Sequence, residues 1–194
     1  MHKEILRQAV HLSGLIFVLL AQLFDKWLAA AMFLGIGAYF LIYSEYVRRT
    51  KSLIGFRNFA YIFEKRKSRK PFEGAYWFYI GCGISFLLFP KNIALASSAI
   101  LAVGDSFSTI FGVHFGRHKL VGNKSAEGSI VFFASSFFIS LVFVNPAIGF
   151  LGSLIATLVE LSTPGKSKNS IWMLDDNLLI PIISGAVMYG VSFV

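Results

Sequence analysis

The sequence predicts an all-α membrane protein, a polytopic bundle of about seven transmembrane helices whose amino terminus is cytoplasmic. Three observations predict it. Of the 194 residues, 56% are hydrophobic and only 14% are charged, with a mean hydropathy of +0.68, whereas soluble domains carry about 25% charged residues. Apolar runs close to the bilayer-spanning length of about 20 residues recur along the chain. The basic residues are divided very unequally between the connections.

The predicted spans are separated by residues that are typical of turns and helix caps, such as Asp25-Lys26, Asn145-Pro146 and Asp175-Asp176. Acidic residues interrupt the fourth and sixth spans, at Asp105 and Glu160. We expect one integral membrane domain over residues 1–194, with a basic cytoplasmic loop at about 46–71. The spans are predicted at residues 8–24, 27–45, 72–90, 92–113, 127–144, 146–163 and 176–194.

The distribution of lysine and arginine predicts the orientation. Sixteen of the 18 fall at the amino terminus or in the second, fourth and sixth connections, and only Lys26 and Lys91 fall on the other side. Because basic residues concentrate on the cytoplasmic side, the amino terminus is predicted to be cytoplasmic. The net charge of +8 therefore reflects topology, with binding to anionic headgroups as a second interpretation, and no nucleic-acid partner is expected.

The acidic residues follow the same division. Nine of the ten lie at or toward the cytoplasmic ends of the predicted spans, and Asp25 is the exception. The positive-inside rule does not explain this, because Asp and Glu contribute little to it. These acids either neutralise the surplus basic residues or build a polar, metal-binding site at the cytoplasmic face.

The segment from Gly104 to Gly116 combines an acid with hydroxyl groups and glycines. On a helix, Asp105, Ser108, Gly112 and Gly116 share one face. Glycines four residues apart often serve only to let membrane helices pack closely. With a carboxylate on the same face, however, the stripe also suits a polyphosphate and its magnesium, which takes oxygen ligands.

A second cluster, Lys124-Ser125-Ala126-Glu127-Gly128, opens the fifth span. Ser125 is expected to cap that helix, and Glu127 favours its positive end. The free N–H groups of a helix start attract anions, and Lys124 adds a full positive charge beside them. The segment is not a P-loop, because Asn123 separates Gly122 from Lys124.

Further candidates lie near other span ends. In Asp175-Asp176-Asn177 one Asp suffices as an N-cap, and the second is available for metal binding or for accepting a proton. Glu160 lies near the same face, and Glu73 favours the positive end of the third span. Arg7 and His11 share a helical face at the amino end, where a packing role for the histidine is the alternative.

Taken together, these stretches resemble the family of CTP-dependent membrane lipid kinases that includes dolichol kinase, phytol kinase and yeast-type diacylglycerol kinase. The resemblance extends over nearly the whole chain. In order, its elements are Arg7 with His11, Pro71–Ala75, Gly104-Asp105 with Gly112 and Gly116, Lys124–Gly128, Glu160, and Asp175-Asp176-Asn177 with Ile180-Pro181.

The resemblance implies an enzyme that transfers the terminal phosphate of CTP to a lipid alcohol, such as dolichol, polyprenol or another isoprenoid alcohol. Such transfer needs a divalent metal, here Mg²⁺, charge neutralisation on the phosphates and a base for the alcohol proton. The roles that follow are Mg²⁺ binding by Asp105, Glu127 and Asp176; catalysis by these residues with Lys124 and Asp175; nucleotide binding by Gly104, Ser108, Gly112, Gly116, Lys124, Ser125 and Gly128; and weaker phosphate or headgroup contacts by Arg7, His11, Arg48, Glu73 and Glu160.

Alternatives stay open at this stage. A cytidylyltransferase that makes a CDP-lipid would also use CTP, magnesium and membrane-embedded acids, and a diacylglycerol-type lipid is an alternative substrate. A transporter would place polar residues throughout the membrane depth, which the one-sided acids oppose. The sequence leaves open whether CTP or ATP is the donor, which acid is the base, and the oligomeric state.

Overall fold

The computed structural model describes residues 2–50, 72–122, 124–163 and 175–193, without the side chains of residues 2–11. Within these ranges the chain forms seven α-helices and no strand, as the sequence predicts. The helices are α1 (His2–Ala21), α2 (Lys26–Thr50), α3 (Glu73–Leu88), α4 (Lys91–Phe115), α5 (Ala126–Ser140), α6 (Pro146–Ser162) and α7 (Asp176–Val191).

The helix bounds depart from the predicted spans at the start of α1, which begins at His2 and not at residue 8, and at the end of α2. This helix continues to Thr50, so that the first residues of the predicted basic loop are helical, and residues 51–71 of that loop lie outside the described residues. Glu45 forms ion pairs of 2.6 Å with both Arg48 and Arg49. Pairs at this spacing stabilise helix, which explains why α2 extends past its apolar stretch.

Two helices, α2 and α4, are each long and apolar enough to cross a membrane. They differ in position within the bundle: 78% of the most apolar 18-residue stretch of α4 is buried, compared with 28% for α2. The central helix α4 contacts α1, α3, α5, α6 and α7. Its buried face is rich in Ala and Ser, and such small residues let neighbouring helices approach closely.

One end of the bundle is held together by polar contacts at the α1–α2 turn. Lys91 Nζ, at the start of α4, donates hydrogen bonds to the carbonyl oxygens of Gln22 (2.8 Å) and Phe24 (2.6 Å). Asp25 Oδ1 caps α2 by accepting from the N–H groups of Trp27 (2.9 Å) and Leu28 (3.0 Å). Since α4 has 25 residues, its other end lies about 37 Å away at 1.5 Å per residue.

The opposite end depends on a close crossing of α3 and α7 at Gly81. A Cβ atom on this glycine would lie 2.6 Å from the carbonyl oxygen of Asn177 and 3.1 Å from the Cα atom of Leu178. Both contacts are with backbone atoms, which cannot move away by a side-chain rotation. Gly81 therefore sets how closely the first turns of α7, which carry Asp175 and Asp176, approach α3.

We expect Gly81→Ala to destabilise the protein by about 1–3 kcal/mol, because the added methyl group overpacks this crossing. Gly35→Ala is the matched control, since nothing lies within 4 Å of the Cβ position there, and alanine in a helix is favoured by about 1 kcal/mol over glycine. Thermal unfolding of the detergent-purified variants measures both effects. Equal stability of the two variants would contradict the close crossing.

Candidate active site

Lys124 lies at the centre of a charged cluster that joins three segments of the chain. Its Nζ atom is 3.0 Å from Glu160 Oε1 at the end of α6 and 3.8 Å from Asp176 Oδ2 at the start of α7. The same ammonium group donates hydrogen bonds to the backbone carbonyl of Glu160 and, at 3.4 Å, to Thr163 Oγ1. The loop before α5 is thereby fixed against the ends of α6 and α7.

The cluster is largely buried and carries more negative than positive charge. The side chains of Lys124 and Glu160 are 15% and 10% exposed, and that of Asp176 is 34% exposed. Asp105 and Asp176 both interact electrostatically with the Glu160 carboxylate. Within the described residues, two carboxylates therefore contact one ammonium group, and Asp105 adds a third negative charge near Glu160. Uncompensated charge in a buried site is costly.

One carboxylate oxygen of this cluster bears on whether the site suits a metal ion. Glu160 Oε2 is buried and has no hydrogen-bond partner among the described residues. No group of three or more His, Cys, Asp or Glu side chains in the described ranges is arranged to hold a metal ion by itself. Mg²⁺, however, is commonly held by one or two carboxylates together with water and substrate phosphates. The donor set therefore fits Mg²⁺ delivered with a polyphosphate.

The adjacent acids at the start of α7 differ in their contacts. Asp175 is the N-cap, and its Oδ1 accepts hydrogen bonds of 3.0 Å from both the backbone N–H and the side-chain amide of Asn177. Asp176 Oδ1 also accepts from the backbone N–H of Asn177, at 3.1 Å, but its Oδ2 approaches Lys124. On the α3 side of α7, Tyr76 interacts electrostatically with both Asp175 and Glu73.

Glycines of both helices lie where α4 and α5 are in contact. A Cβ atom on Gly128 would lie 3.2 Å from the carbonyl oxygen of Ser108 and 3.4 Å from the Cα atom of Gly112. At Gly104 a Cβ atom would lie 2.4 Å from Ser136 Oγ. Close helix packing thus accounts for Gly104 and Gly128, whereas a Cβ atom on Gly112 would have its nearest neighbour at 3.6 Å. The nucleotide contacts of all three glycines stay a prediction.

The last member of the predicted helical face, Gly116, lies at the C-cap of α4. The helix α4 ends at Phe115, and the N–H of Gly116 still donates to the carbonyl of Gly112. Cβ atoms on Gly112 and on Gly116 would both approach Ser125 Oγ, at 3.6 and 2.6 Å, so the two glycines face the same residue. Ser108 is buried, and its hydroxyl donates to the backbone carbonyl of Asp105 at 3.1 Å. That hydroxyl already has an acceptor within its own helix.

The start of α5 confirms one prediction and adds a contact that sequence reasoning missed. Ser125 caps the helix, because its Oγ accepts from the N–H of Gly128 at 3.2 Å. The Glu127 carboxylate accepts hydrogen bonds from the backbone N–H groups of Arg117 (3.1 Å) and His118 (3.3 Å) and contacts His118 Nδ1 at 2.7 Å. No motif spacing links His118 to Glu127.

Of the weaker phosphate candidates, Glu160 belongs to the charged cluster, whereas Arg48 does not contact it among the described residues. Arg48 is 56% exposed and pairs with Glu45 on α2. The side chains of Arg7 and His11 lie outside the described residues. Thr163, which no motif indicated, is in contact with Lys124.

Comparison with known proteins defines the relatives of the chain. No protein-family model matches it, and no solved structure matches it. An uncharacterized protein of Methanocaldococcus jannaschii is 30% identical over 188 residues, which are 93% of this chain and 90% of the relative. The chain belongs to the same family as that archaeal protein.

Two further relatives carry names that describe an activity. CTP-dependent diacylglycerol kinase 1 of Schizosaccharomyces pombe is 25% identical over 144 residues, 64% of this chain and 63% of the kinase. Phytol kinase of Synechocystis is 29% identical over 99 residues, 48% of this chain and 42% of that kinase. These names support the predicted lipid-kinase family.

Proposed function

We propose that the protein is a membrane lipid kinase that transfers the terminal phosphate of CTP to an isoprenoid-type lipid alcohol. The observation that supports this most strongly is the buried Lys124–Glu160–Asp176 cluster with Asp105 beside it. The names of the two kinase relatives support CTP as donor and a lipid as acceptor. Diacylglycerol is the alternative acceptor.

In this proposal each charged group has a distinct task. Lys124 binds the phosphate oxygens, and Asp105 and Asp176 hold Mg²⁺. When bound, the metal neutralises charge on the phosphates. The lipid hydroxyl oxygen forms a bond to the terminal phosphorus, the bond from that phosphorus to the bridging oxygen breaks, and CDP leaves. Asp175 receives the hydroxyl proton.

The donor and acceptor are tested with purified protein, Mg²⁺, CTP or ATP, and a panel containing polyprenol, dolichol, phytol and diacylglycerol. We expect phosphorylation of an isoprenoid alcohol with CTP and a much slower reaction with ATP. Phosphorylation of diacylglycerol alone would change the acceptor, and a clear preference for ATP would contradict the proposed donor.

We further propose that the helices span the cell membrane of a prokaryotic-type cell with the charged cluster facing the cytoplasm. This rests on the charge distribution and on the two long apolar helices. It also places Asp25, Lys26 and Lys91, at the α1–α2 end, outside.

Single cysteines in a Cys82→Ser background test this orientation. Leu23, 77% exposed, lies in the α1–α2 turn, and Leu120, 53% exposed, lies in the loop after α4, so the two positions are at opposite ends of the bundle. In sealed cells, we expect a membrane-impermeant maleimide to label Leu23→Cys, and to label Leu120→Cys only after lysis. The same accessibility at both positions would refute a spanning bundle.

A further inference from the structure

The loop that carries Lys124 is a short hairpin between α4 and α5. The N–H of Leu120 donates to the carbonyl of Lys124 at 2.9 Å, and the N–H of Lys124 donates to the carbonyl of Val121 at 3.0 Å. Gly122 has φ of +59°, a left-handed conformation that glycine adopts without strain. The hairpin therefore sets the position of the Lys124 backbone.

The base of this hairpin is closed by α5. The N–H of Ala126 donates to the carbonyl of His118 at 2.8 Å. One residue later, the Glu127 carboxylate binds the N–H of Arg117, the N–H of His118 and His118 Nδ1. Glu127 thus links the chain just after α4 to the first turn of α5, and Lys124 lies between these two points.

We propose that Glu127 is a positioning residue, and not a magnesium ligand: it holds the hairpin so that Lys124 reaches Glu160 and the phosphates. The proposal rests on the proposed function for the role of Lys124. It also replaces the sequence-based hypothesis that Glu127 binds the metal.

The contacts of Glu127 favour positioning over metal binding. Its two oxygens are approached by backbone N–H groups and by a histidine nitrogen, at 2.7 to 3.3 Å. The positive ends of these donor groups point at the carboxylate, so a cation there would have to displace them. Lys124, in contrast, is directed to Glu160 and Asp176. We therefore place the metal and the phosphates beside these two acids and not beside Glu127.

Kinetics of Glu127→Gln, alone and in a Lys124→Ala background, test the proposal. Glutamine carries no charge and has one acceptor oxygen, with an NH2 donor in place of the second, so it cannot accept from the N–H groups of Arg117 and His118 and from His118 Nδ1 together. We expect the KM for CTP to rise about tenfold, as for loss of a charge-assisted hydrogen bond, with kcat changed much less. Because Glu127 acts through Lys124, the substitution should add less than about twofold in the Lys124→Ala background.

Two histidines provide a matched control. His118→Ala should raise the KM for CTP in the same direction, whereas His114→Ala should leave it unchanged. The described contacts of His114, with the carbonyl of Ile110 and the ring of Phe115, both lie within α4. The Mg²⁺ concentration that gives half-maximal activity should be the same in Glu127→Gln and wild type. A raised Mg²⁺ requirement, an unchanged KM, or an effect that persists without Lys124 would overturn the proposal.

Amide hydrogen exchange separates failure of this proposal from failure of the proposed function. Exchange at Arg117 and His118 should accelerate in Glu127→Gln and not in His114→Ala, whether or not the protein phosphorylates a lipid. If wild type shows no kinase activity but exchange accelerates as expected, the positioning of the hairpin by Glu127 is supported and the proposed function fails. If exchange is unchanged in Glu127→Gln, Glu127 does not hold the hairpin and the proposal is wrong.

Discussion

Replacing Asp105 by asparagine will lower the turnover of lipid phosphorylation by about a hundredfold or more while the protein stays folded. Asp105 lies ten residues before the end of α4, about 15 Å from it at 1.5 Å per residue. In a helix that spans the membrane, a charged side chain at this depth costs free energy, and such residues usually have a functional role. Asparagine keeps the shape of the side chain but removes the charge that a magnesium ligand supplies.

The stability of Asp105→Asn separates the structural from the catalytic interpretation. A purely structural acid in this position should be replaceable with little loss, or with a gain in stability, because Glu160 and Asp176 already provide negative charge nearby. Phosphorylation is therefore measured per amount of monodisperse, folded protein. Near-normal activity would remove the centre of the proposed site and leave helix packing as the sole role of the α4 stripe.

Asp25→Asn is the matched control for this substitution. Asp25 lies at the opposite end of the bundle and caps α2 through two backbone N–H groups. Asparagine is as good an N-cap as aspartate. We expect unchanged activity and nearly unchanged stability from this variant.

Replacing Lys124 by methionine will both destabilise the protein and lower phosphate transfer by about a hundredfold or more. The partner that remains, Glu160, is buried, and breaking a buried ion pair by removing one member costs about 3–5 kcal/mol. The double variant Lys124→Met/Glu160→Gln removes the orphaned charge and should regain most of that stability. It should not regain activity, because the phosphates still lack their positive partner.

Thermal unfolding and activity measured on the same preparations distinguish these effects. Lys91→Met is the control, since Lys91 makes two hydrogen bonds to backbone carbonyls at the other end of the bundle. It should lose about 1–2 kcal/mol and keep its activity. If the double variant recovers activity together with stability, Lys124 has only a structural role.

The helices could be predicted from the sequence because their signals are local. Apolar runs place all seven, and Ser125, Asp175 and Asn145 cap α5, α7 and α6 as their positions predict. The extension of α2 beyond residue 45 could not be predicted from hydropathy, because the apolar run ends at Glu45. The ion pairs of Glu45 with Arg48 and Arg49 stabilise the helix beyond it. The central position of α4 depends on which helices pack together, which residue spacing along one helix does not reveal.

Some members of the charged cluster could be predicted from the sequence, and their roles stay a prediction. Asp105, Lys124 and Asp176 stand out because acidic and basic residues are unusual near apolar spans. Glu160 had only a weak signal, although it is the most closely bound partner of Lys124. The Glu127–His118 contact joins residues in a hairpin and arises from tertiary structure. Sequence alone therefore assigned Glu127 to the metal, whereas its contacts favour a role in positioning the loop.

The fate of the phosphorus atoms of CTP tests the central claim most directly. Purified protein is incubated with Mg²⁺, polyprenol and CTP labelled in either the terminal or the innermost phosphate, and the lipid and nucleotide products are separated. The account predicts that only the terminal label enters the lipid and that CDP is released. Entry of the innermost label with release of pyrophosphate would show cytidylyl transfer and contradict the account.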